Sequence, residues 1–363
     1  MTRLATFVQI SDLHLGDLDP RTLDATYNDN WQYFRLLDGF LGHSYESLRK
    51  LADEFDELRQ REEAQIIVTG DITASGKTEQ FRMGGAFLGG IYQPPPGAVR
   101  RTILGLRVRN WKDYSIPGNH DHWPGIDSSW RPKIRGDANS ELALTLHQLP
   151  RVEDYYLPNQ GHLIRFLSIN TDSDVHPNRD DRLLARGNFR SQLVELEDLL
   201  SDPLEKEIRV LCLHHSMSYR ADTRLGQFSR ALEVDDVTRG ELEQFIVEQE
   251  ISVLLCGHLH DPPKVEKFVA HTAKRSAEYL EAQCGSTSQR SELPIHWKNW
   301  KRRQAKIQRQ YPNCFLVHRL VEERDGLYWK AAVFWEMTAK FDQHKAHEAE
   351  VLKTDSFRVW PRL

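Results

Sequence analysis

Five short stretches carry side chains that can hold a cation or move a proton: Asp12-Leu13-His14, Gly70-Asp71, Gly118-Asn119-His120-Asp121, His214-His215 and Gly257-His258-Leu259-His260. Asp, Asn and His offer oxygen and imidazole-nitrogen ligands, a set that suits Mn²⁺, Fe or Zn²⁺, and the absence of a cysteine among them argues against a structural zinc. Each stretch alone reads as a polar turn. Gly-Asp after a strand is ordinary turn chemistry, and an isolated His-His pair is more often a surface or core feature than a pair of ligands. In Gly257-His258-Leu259-His260 the alternation directs both imidazoles to one side of an extended segment. What joins the five is position, because each follows a short apolar or β-branched run. The donors also outnumber what one ion needs. Two ions sharing at least one carboxylate are therefore expected, a pairing at about 3.5–4 Å that generates a hydroxide near neutral pH and neutralises charge on phosphorus.

The elements that must position these residues are legible as periodic runs. TFVQI (6–10), QIIVT (65–69), DYSI (113–116), LIRFLSI (163–169), IRVLCL (208–213) and ISVLLC (251–256) read as strands. Ser44 caps a helix to about Glu62, with Leu48, Leu51, Phe55 and Leu58 on one face. Further helices are expected over 77–88, 139–148, 190–200 and 239–249, the last opened by a capping box of Thr238 and Glu241. This is the βαβ rhythm of a largely parallel sheet, whose C-terminal strand ends are where such proteins gather their sites. After residue 262, KVEKFVA, EYLEAQC, CFLVHRLV and LYWKAAVFW suggest an antiparallel finish. Residues 17–42, 89–101 and 285–312 read as insertions in one domain over 1–337. The extension 338–363 either docks back on that domain or meets a second copy or another protein.

The totals exclude some classes. The 363 residues are 39% hydrophobic and 28% charged, with a net charge of −5, so the chain as a whole is no polycation built for nucleic acid. No run approaches the roughly 18 apolar residues of a membrane span, and the N-terminus lacks the pattern of a signal peptide. Cys212, Cys256, Cys284 and Cys314 lie in or beside strand-like runs without CxxC spacing. Reduced core thiols and a cytoplasmic location are expected.

The five stretches, in this order and at these spacings, resemble the calcineurin-like metallophosphoesterases over residues 12–260, with the segment to about 337 similar to that fold's second sheet. The resemblance implies an α/β fold, a four-layer αββα sandwich of two mixed β-sheets flanked by helices. It implies that Asp12, His14 and His260 hold one metal, that Asn119, His214 and His258 hold the other, and that Asp71 bridges both. A metal-bridging hydroxide would attack phosphorus in line. His120 would not be a ligand but would lie over the phosphate and protonate the leaving oxygen or stabilise charge there, with Asp121 orienting its ring. His215 is a candidate to reach the substrate, and His122 receives no role from the pattern. The turn Gly70-Asp71-Ile72-Thr73-Ala74-Ser75-Gly76, followed by Glu79-Gln80-Phe81, resembles the cyclic-nucleotide and glycerophosphodiester phosphodiesterase branch. Ser216 departs from that branch, which often has proline there.

One segment fits no part of this pattern. HWKNWKRRQAKIQRQ (296–310) holds six Lys or Arg, no acid, and two interleaved Trp. A solvated helix packing its tryptophans on the core is one reading; a lid, a partner surface, or a track for nucleic acid with Lys301, Arg302 and Arg303 on the substrate are the others. The expected function is hydrolysis of a nucleotide-like or other small phosphodiester. A metal-dependent nuclease and a non-catalytic metal-binding scaffold are the alternatives.

Overall fold

The computed structural model describes residues 1–16, 42–122, 146–157, 161–174, 187–219, 233–260, 263–289, 312–337, 340–343 and 356–360. Two mixed sheets carry the fold. The first has the order β12-β11-β10-β1-β2-β3. Its strands are β1 (Thr2–Ile10), β2 (Gln65–Thr69), β3 (Ser115–Ile116), β10 (Cys314–Glu323), β11 (Gly326–Glu336) and β12 (Phe341–Gln343), and β13 (Ser356–Trp360) also pairs with β11. The second has the order β4-β5-β6-β7-β9-β8, from β4 (Arg151–Tyr156), β5 (Leu163–Ser168), β6 (Glu207–Cys212), β7 (Ile251–Cys256), β8 (Lys264–His271) and β9 (Ser276–Gln283).

Strand alternation explains the layering. In β1, Phe7 joins the apolar layer between the sheets, while Val8 and Ile10 point the other way. Ile67 of β2 faces inward and Ile66 and Val68 outward. The outward set is covered by α1 (Tyr45–Arg61), through Leu48, Leu51 and Phe55, and by α2 (Thr78–Gly89), through Phe87 and Leu88. Sheet two repeats the arrangement. Val210, Val253 and Leu255 face inward, and Leu211, Leu254 and Cys256 pack outward under α4 (Arg190–Leu199) and α5 (Asp236–Glu248). Burying each such Phe, Leu or Ile is worth about 1.5–3 kcal/mol. The result is the expected sandwich of two mixed sheets between helices.

Sequence and structure part at several elements. Ser44 does cap α1, accepting from Ser47 N at 3.2 Å. In α5 the cap is Asp235, which accepts from Val237 N and Thr238 N. The helix therefore starts three residues earlier than the Thr238–Glu241 pair suggests. Asp113 and Tyr114 close a 3₁₀ turn (Trp111–Tyr114), leaving only Ser115 and Ile116 as strand. β4 lacks an apolar alternation and is a half-buried antiparallel edge. The strands after residue 262 do not form one antiparallel finish or a second sheet of their own: β8 and β9 extend sheet two, with β9 parallel to β7, and β10 to β13 complete sheet one. The extension returns to the domain, since β12 and β13 both pair with β11. Most of the helix expected over 139–148, most of the 17–42 and 285–312 insertions, and Lys301, Arg302 and Arg303 lie outside the described residues.

Candidate metal centre

All five stretches converge at one end of the sandwich, beyond the strands that precede them. The β1–β2 pairing continues past the strand ends through Asp12 N to Gly70 O (3.0 Å), His14 N to Asp71 O (3.0 Å) and Leu15 N to Ile72 O (2.8 Å). This holds the Asp12 and Asp71 loops side by side. A third strand end follows β3, where the short helix α3 (Asn119–His122) begins. Sheet two adds His214 after β6 and His258 and His260 after β7.

The local backbone is strained where the donors sit. Asp12, His14, Asp71 and His258 have positive φ of 52°, 46°, 50° and 71°. Each such residue costs about 1–3 kcal/mol and persists only where its surroundings or its function require it. Two glycines make room. A Cβ on Gly70, itself at φ 102°, would strike the His214 ring, and one on Gly118 would strike Asp71 and His214.

The side chains form two clusters whose ligating atoms lie within 4.8 Å of one another: Asp12, His14, Asp71 and His260, and Asp71, His214 and His258. Asp71 belongs to both. Its Oδ1 accepts from His120 N at 2.8 Å. Its Oδ2, which has no hydrogen bond, lies 3.8 Å from His14 Nε2 and 3.4 Å from His214 Nε2. In the first cluster, His260 Nε2 is 2.9 Å from His14 Nε2 and 3.1 Å from Asp12 Oδ1. In the second, His214 Nε2 is 3.1 Å from Asn119 Oδ1 and 3.2 Å from His258 Nδ1.

This donor set fits a pair of cations. His14 Nδ1, Asp71 Oδ2 and His258 Nε2 are buried without hydrogen bonds, and imidazole nitrogens that face one another need a proton or a cation between them. Burial, then the charges of His120 and His260, press the His14 imidazolium well below its usual range; burial and His215 do the same to His258. Both rings thus keep the lone pairs that a metal takes. Burial would also lower His214, but the Asp71 carboxylate outweighs it and holds His214 up to about 9. Burial would raise Asp71, yet His214 and His120 keep it well below the usual carboxylate range. A carboxylate charged in this way is the natural shared ligand.

The remaining expected residues fall in different places. The His120 ring lies 4.7 Å from the His14 ring, and its Nδ1 is 2.9 Å from Ala74 O. Asp121 was expected to orient that ring, but its carboxylate accepts from Gly118 N, Ile72 N, Thr73 N and Thr73 Oγ1 at 2.8–3.1 Å. It organises the turn under Asp71, and the Ala74 carbonyl braces His120. Burial, then the charge of Asp71, raises the Asp121 carboxyl to about 7. His215, the candidate to reach substrate, is fully buried. Its ring lies 4.1 Å from that of His258, and its Nδ1 is 2.8 Å from Thr171 Oγ1. A side chain with no exposed surface supports its neighbour instead. His122 Nε2 meets Asn170 Oδ1 at 3.0 Å.

Sequence reasoning missed three supports. Asn170 and Thr171 follow β5, another parallel strand end, and the polar signal was present in Asn170-Thr171-Asp172. Glu281 of β9, fully buried, accepts from Ser216 Oγ (2.6 Å) and Ser218 Oγ (2.8 Å), tying down the loop that follows His215. That tether does the stiffening expected of a proline at 216. Thr287 and Ser288 hold the Asp12 loop through Ser11 N to Thr287 Oγ1 (3.1 Å) and Ser288 Oγ to Leu13 O (2.7 Å).

The chain belongs to the calcineurin-like phosphoesterase family, whose model matches residues 5–262. With the residue clusters, this indicates a metal-dependent phosphoric ester hydrolase with a two-metal site. No curated protein matches the sequence. Similar solved structures include GAP50, the anchor in the inner membrane complex of Plasmodium, at 12% identity over 94% of this chain and 90% of that one, with a TM-score of 0.40. The phosphopantetheinyl hydrolase of Mycobacterium tuberculosis is 13% identical over 90% of this chain and 99% of that one, with a TM-score of 0.37. A putative 5'-nucleotidase from Staphylococcus aureus is 12% identical over 95% of this chain and 57% of that one, with a TM-score of 0.41. No helix among the described residues is long and apolar enough to cross a membrane.

Proposed function

We propose that this chain is a phosphodiesterase acting on a nucleotide-like or other small phosphodiester, with Asp12, His14 and His260 on one ion, Asn119, His214 and His258 on the other, and Asp71 between them. The observation that carries the proposal is the single unbonded oxygen Asp71 Oδ2, within 3.8 Å of His14 and 3.4 Å of His214. Two bound ions, of Mn²⁺, Fe or Zn²⁺, would supply a nucleophile derived from water and offset charge on the phosphoryl group. The chain's own residues do the rest. Asp71 is fixed through Oδ1 by the His120 amide, so its second oxygen is presented to both clusters. His120 Nδ1–H donates to the Ala74 carbonyl. Nε2 is then the nitrogen that carries a proton to the leaving oxygen. Asp121 keeps the turn beneath Asp71 in shape.

The likeness of Gly70–Gly76 to the cyclic-nucleotide and glycerophosphodiester branch supports a diester over a monoester. A second reading, a nuclease, draws support from the basic 296–310 segment, with Lys301, Arg302 and Arg303 on the polynucleotide backbone. Four buried cysteines free of disulfides support a reducing, cytoplasmic compartment. The test is a substrate panel with Mn²⁺: cyclic nucleotides, glycerophosphodiesters, single- and double-stranded nucleic acid, and monoesters. Faster turnover of small diesters than of the other classes is expected. A preference for monoesters overturns the diester reading, and a preference for polynucleotides that is lost on charge reversal of Lys301, Arg302 and Arg303 replaces it with the nuclease.

A further inference from the structure

Within the largely apolar layer between the sheets, one line of buried polar side chains is joined by hydrogen bonds. Trp329 Nε1 lies 3.0 Å from His318 Nδ1, and His318 Nε2 lies 2.9 Å from Gln9 Oε1. Gln9 Nε2 then reaches Cys256 O at 2.8 Å and Thr69 Oγ1 at 3.2 Å. All of these residues except Cys256 sit on inward-facing positions of sheet one, and each is fully buried. The chain of bonds has one direction only. An indole N–H can only donate, so His318 Nδ1 accepts. The neutral ring must then donate from Nε2, and Gln9 Oε1 accepts. The amide nitrogen of Gln9 is left to donate to Cys256 O and Thr69 Oγ1. No flip of the amide and no other tautomer satisfies every partner.

The far end of this line falls at the root of the cage. Gln9 is three residues before Asp12, Thr69 is two before Asp71, and Cys256 is two before His258. Both candidate metal clusters draw donors from both sheets: Asp12, His14 and Asp71 meet His260, and Asp71 meets His214 and His258. The gap between the sheets therefore sets the distances within each cluster. Apolar contacts resist separation of the sheets but slide easily, whereas a directional amide–carbonyl bond fixes position along the strand as well.

We propose that Gln9, locked in orientation by His318 and Trp329, is a positioning residue that sets the register of the two sheets for the two-metal centre. This rests on the two-metal reading above. Its test is a Mn²⁺ titration of the full chain, with binding followed by calorimetry and the pairing of ions by the exchange-coupled signal in electron paramagnetic resonance. Wild type is expected to take up two ions and to show the coupled signal. Gln9→Leu, which keeps size and loses the bonds, is expected to remain folded by circular dichroism, to bind the second ion about tenfold more weakly or worse, and to lose the coupled signal. Leu320→Ala, a cavity in the same layer, controls for general loosening. If Gln9→Leu does not fold, Trp329→Phe removes only the first donor, and a weaker change in the same direction is expected. A Gln9→Leu or Trp329→Phe protein that pairs two ions as wild type does overturns the proposal, as does equal weakening by Leu320→Ala. A wild-type chain that binds no Mn²⁺ overturns the two-metal reading, and this proposal falls with it.

Discussion

Asp71 and His120 are adjacent in space and bonded to each other, yet they are assigned different work. Asp71→Asn removes the charge shared by both clusters, so metal content after dialysis against Mn²⁺ and turnover are both expected to collapse. His120→Ala is expected to keep both ions and to lose roughly 10²–10⁴ in kcat. Equal metal loss in the two variants would overturn the division between ligand and acid. Gly118→Ala removes no donor, but its Cβ would displace the Asp71 carboxylate and the His214 ring. It is expected to lose metal nearly as fully as Asp71→Asn. Proton linkage gives a separate check. In the metal-free chain His214 titrates at about 9, so at pH 7 it holds a proton that coordination must expel. Metal affinity should therefore rise with pH up to about 9 and level off above it. Calorimetry in buffers of different ionisation heat should show proton release at pH 7, and pH-independent binding would sink the assignment of His214. At this scale the donor types were legible, because Asp, Asn and His announce themselves. Their partners were not: nothing in the string Asn119-His120-Asp121 says that Asp121 turns back to Gly118 and Thr73 while Ala74 holds the imidazole.

Direction of travel decides which strand ends reach the centre. β5, β6, β7 and β9 run parallel, so all four deliver their C-terminal residues to the same end of sheet two. The ends of β6 and β7 were legible from their histidines. The end of β9 was misread, because EYLEAQC follows a strand with which it pairs antiparallel, and only the long-range pairing of Leu254 with Glu281 reveals its direction toward β7. Periodicity reports which face a strand buries but carries no sign for direction. Glu281 shows what that concealed. Burial raises its carboxyl, opposed by the bonds from Ser216 and Ser218. Glu281→Ala would remove the acceptor of both hydroxyls, and an unsatisfied group at buried Ser216 would cost about 1–3 kcal/mol. A lower Tm and weaker Mn²⁺ binding are expected together, with Glu281→Gln intermediate. A full loss of Tm with metal affinity unchanged would confine Glu281 to the fold.

Across the whole molecule, metal and fold should be coupled. The centre gathers buried imidazole nitrogens that face one another and left-handed residues, which disfavour the folded state unless cations sit among the donors. Each ion at about a hundredfold its Kd adds roughly 2.7 kcal/mol to stability. Chelation is expected to lower Tm by several degrees, and an unchanged melt would argue against a centre built for metal. The sandwich itself was legible in outline, since inward and outward residues alternate in β1, β2, β6 and β7. The closure of sheet one by the last strands was not, because that pairing joins residues about three hundred positions apart. Gln9 and His318, for instance, are separated by 309. That closure has a consequence for how the protein is made. β1, carrying Asp12 and His14, is made well before β10 (Cys314–Glu323), its neighbour on one side. A chain halted at residue 262, where the family match ends, would hold every donor of the cage and still leave one edge of β1 bare. The full set of ligands therefore exists well before the scaffold that seats them, and a nascent chain must keep β1 from pairing elsewhere until β10 arrives.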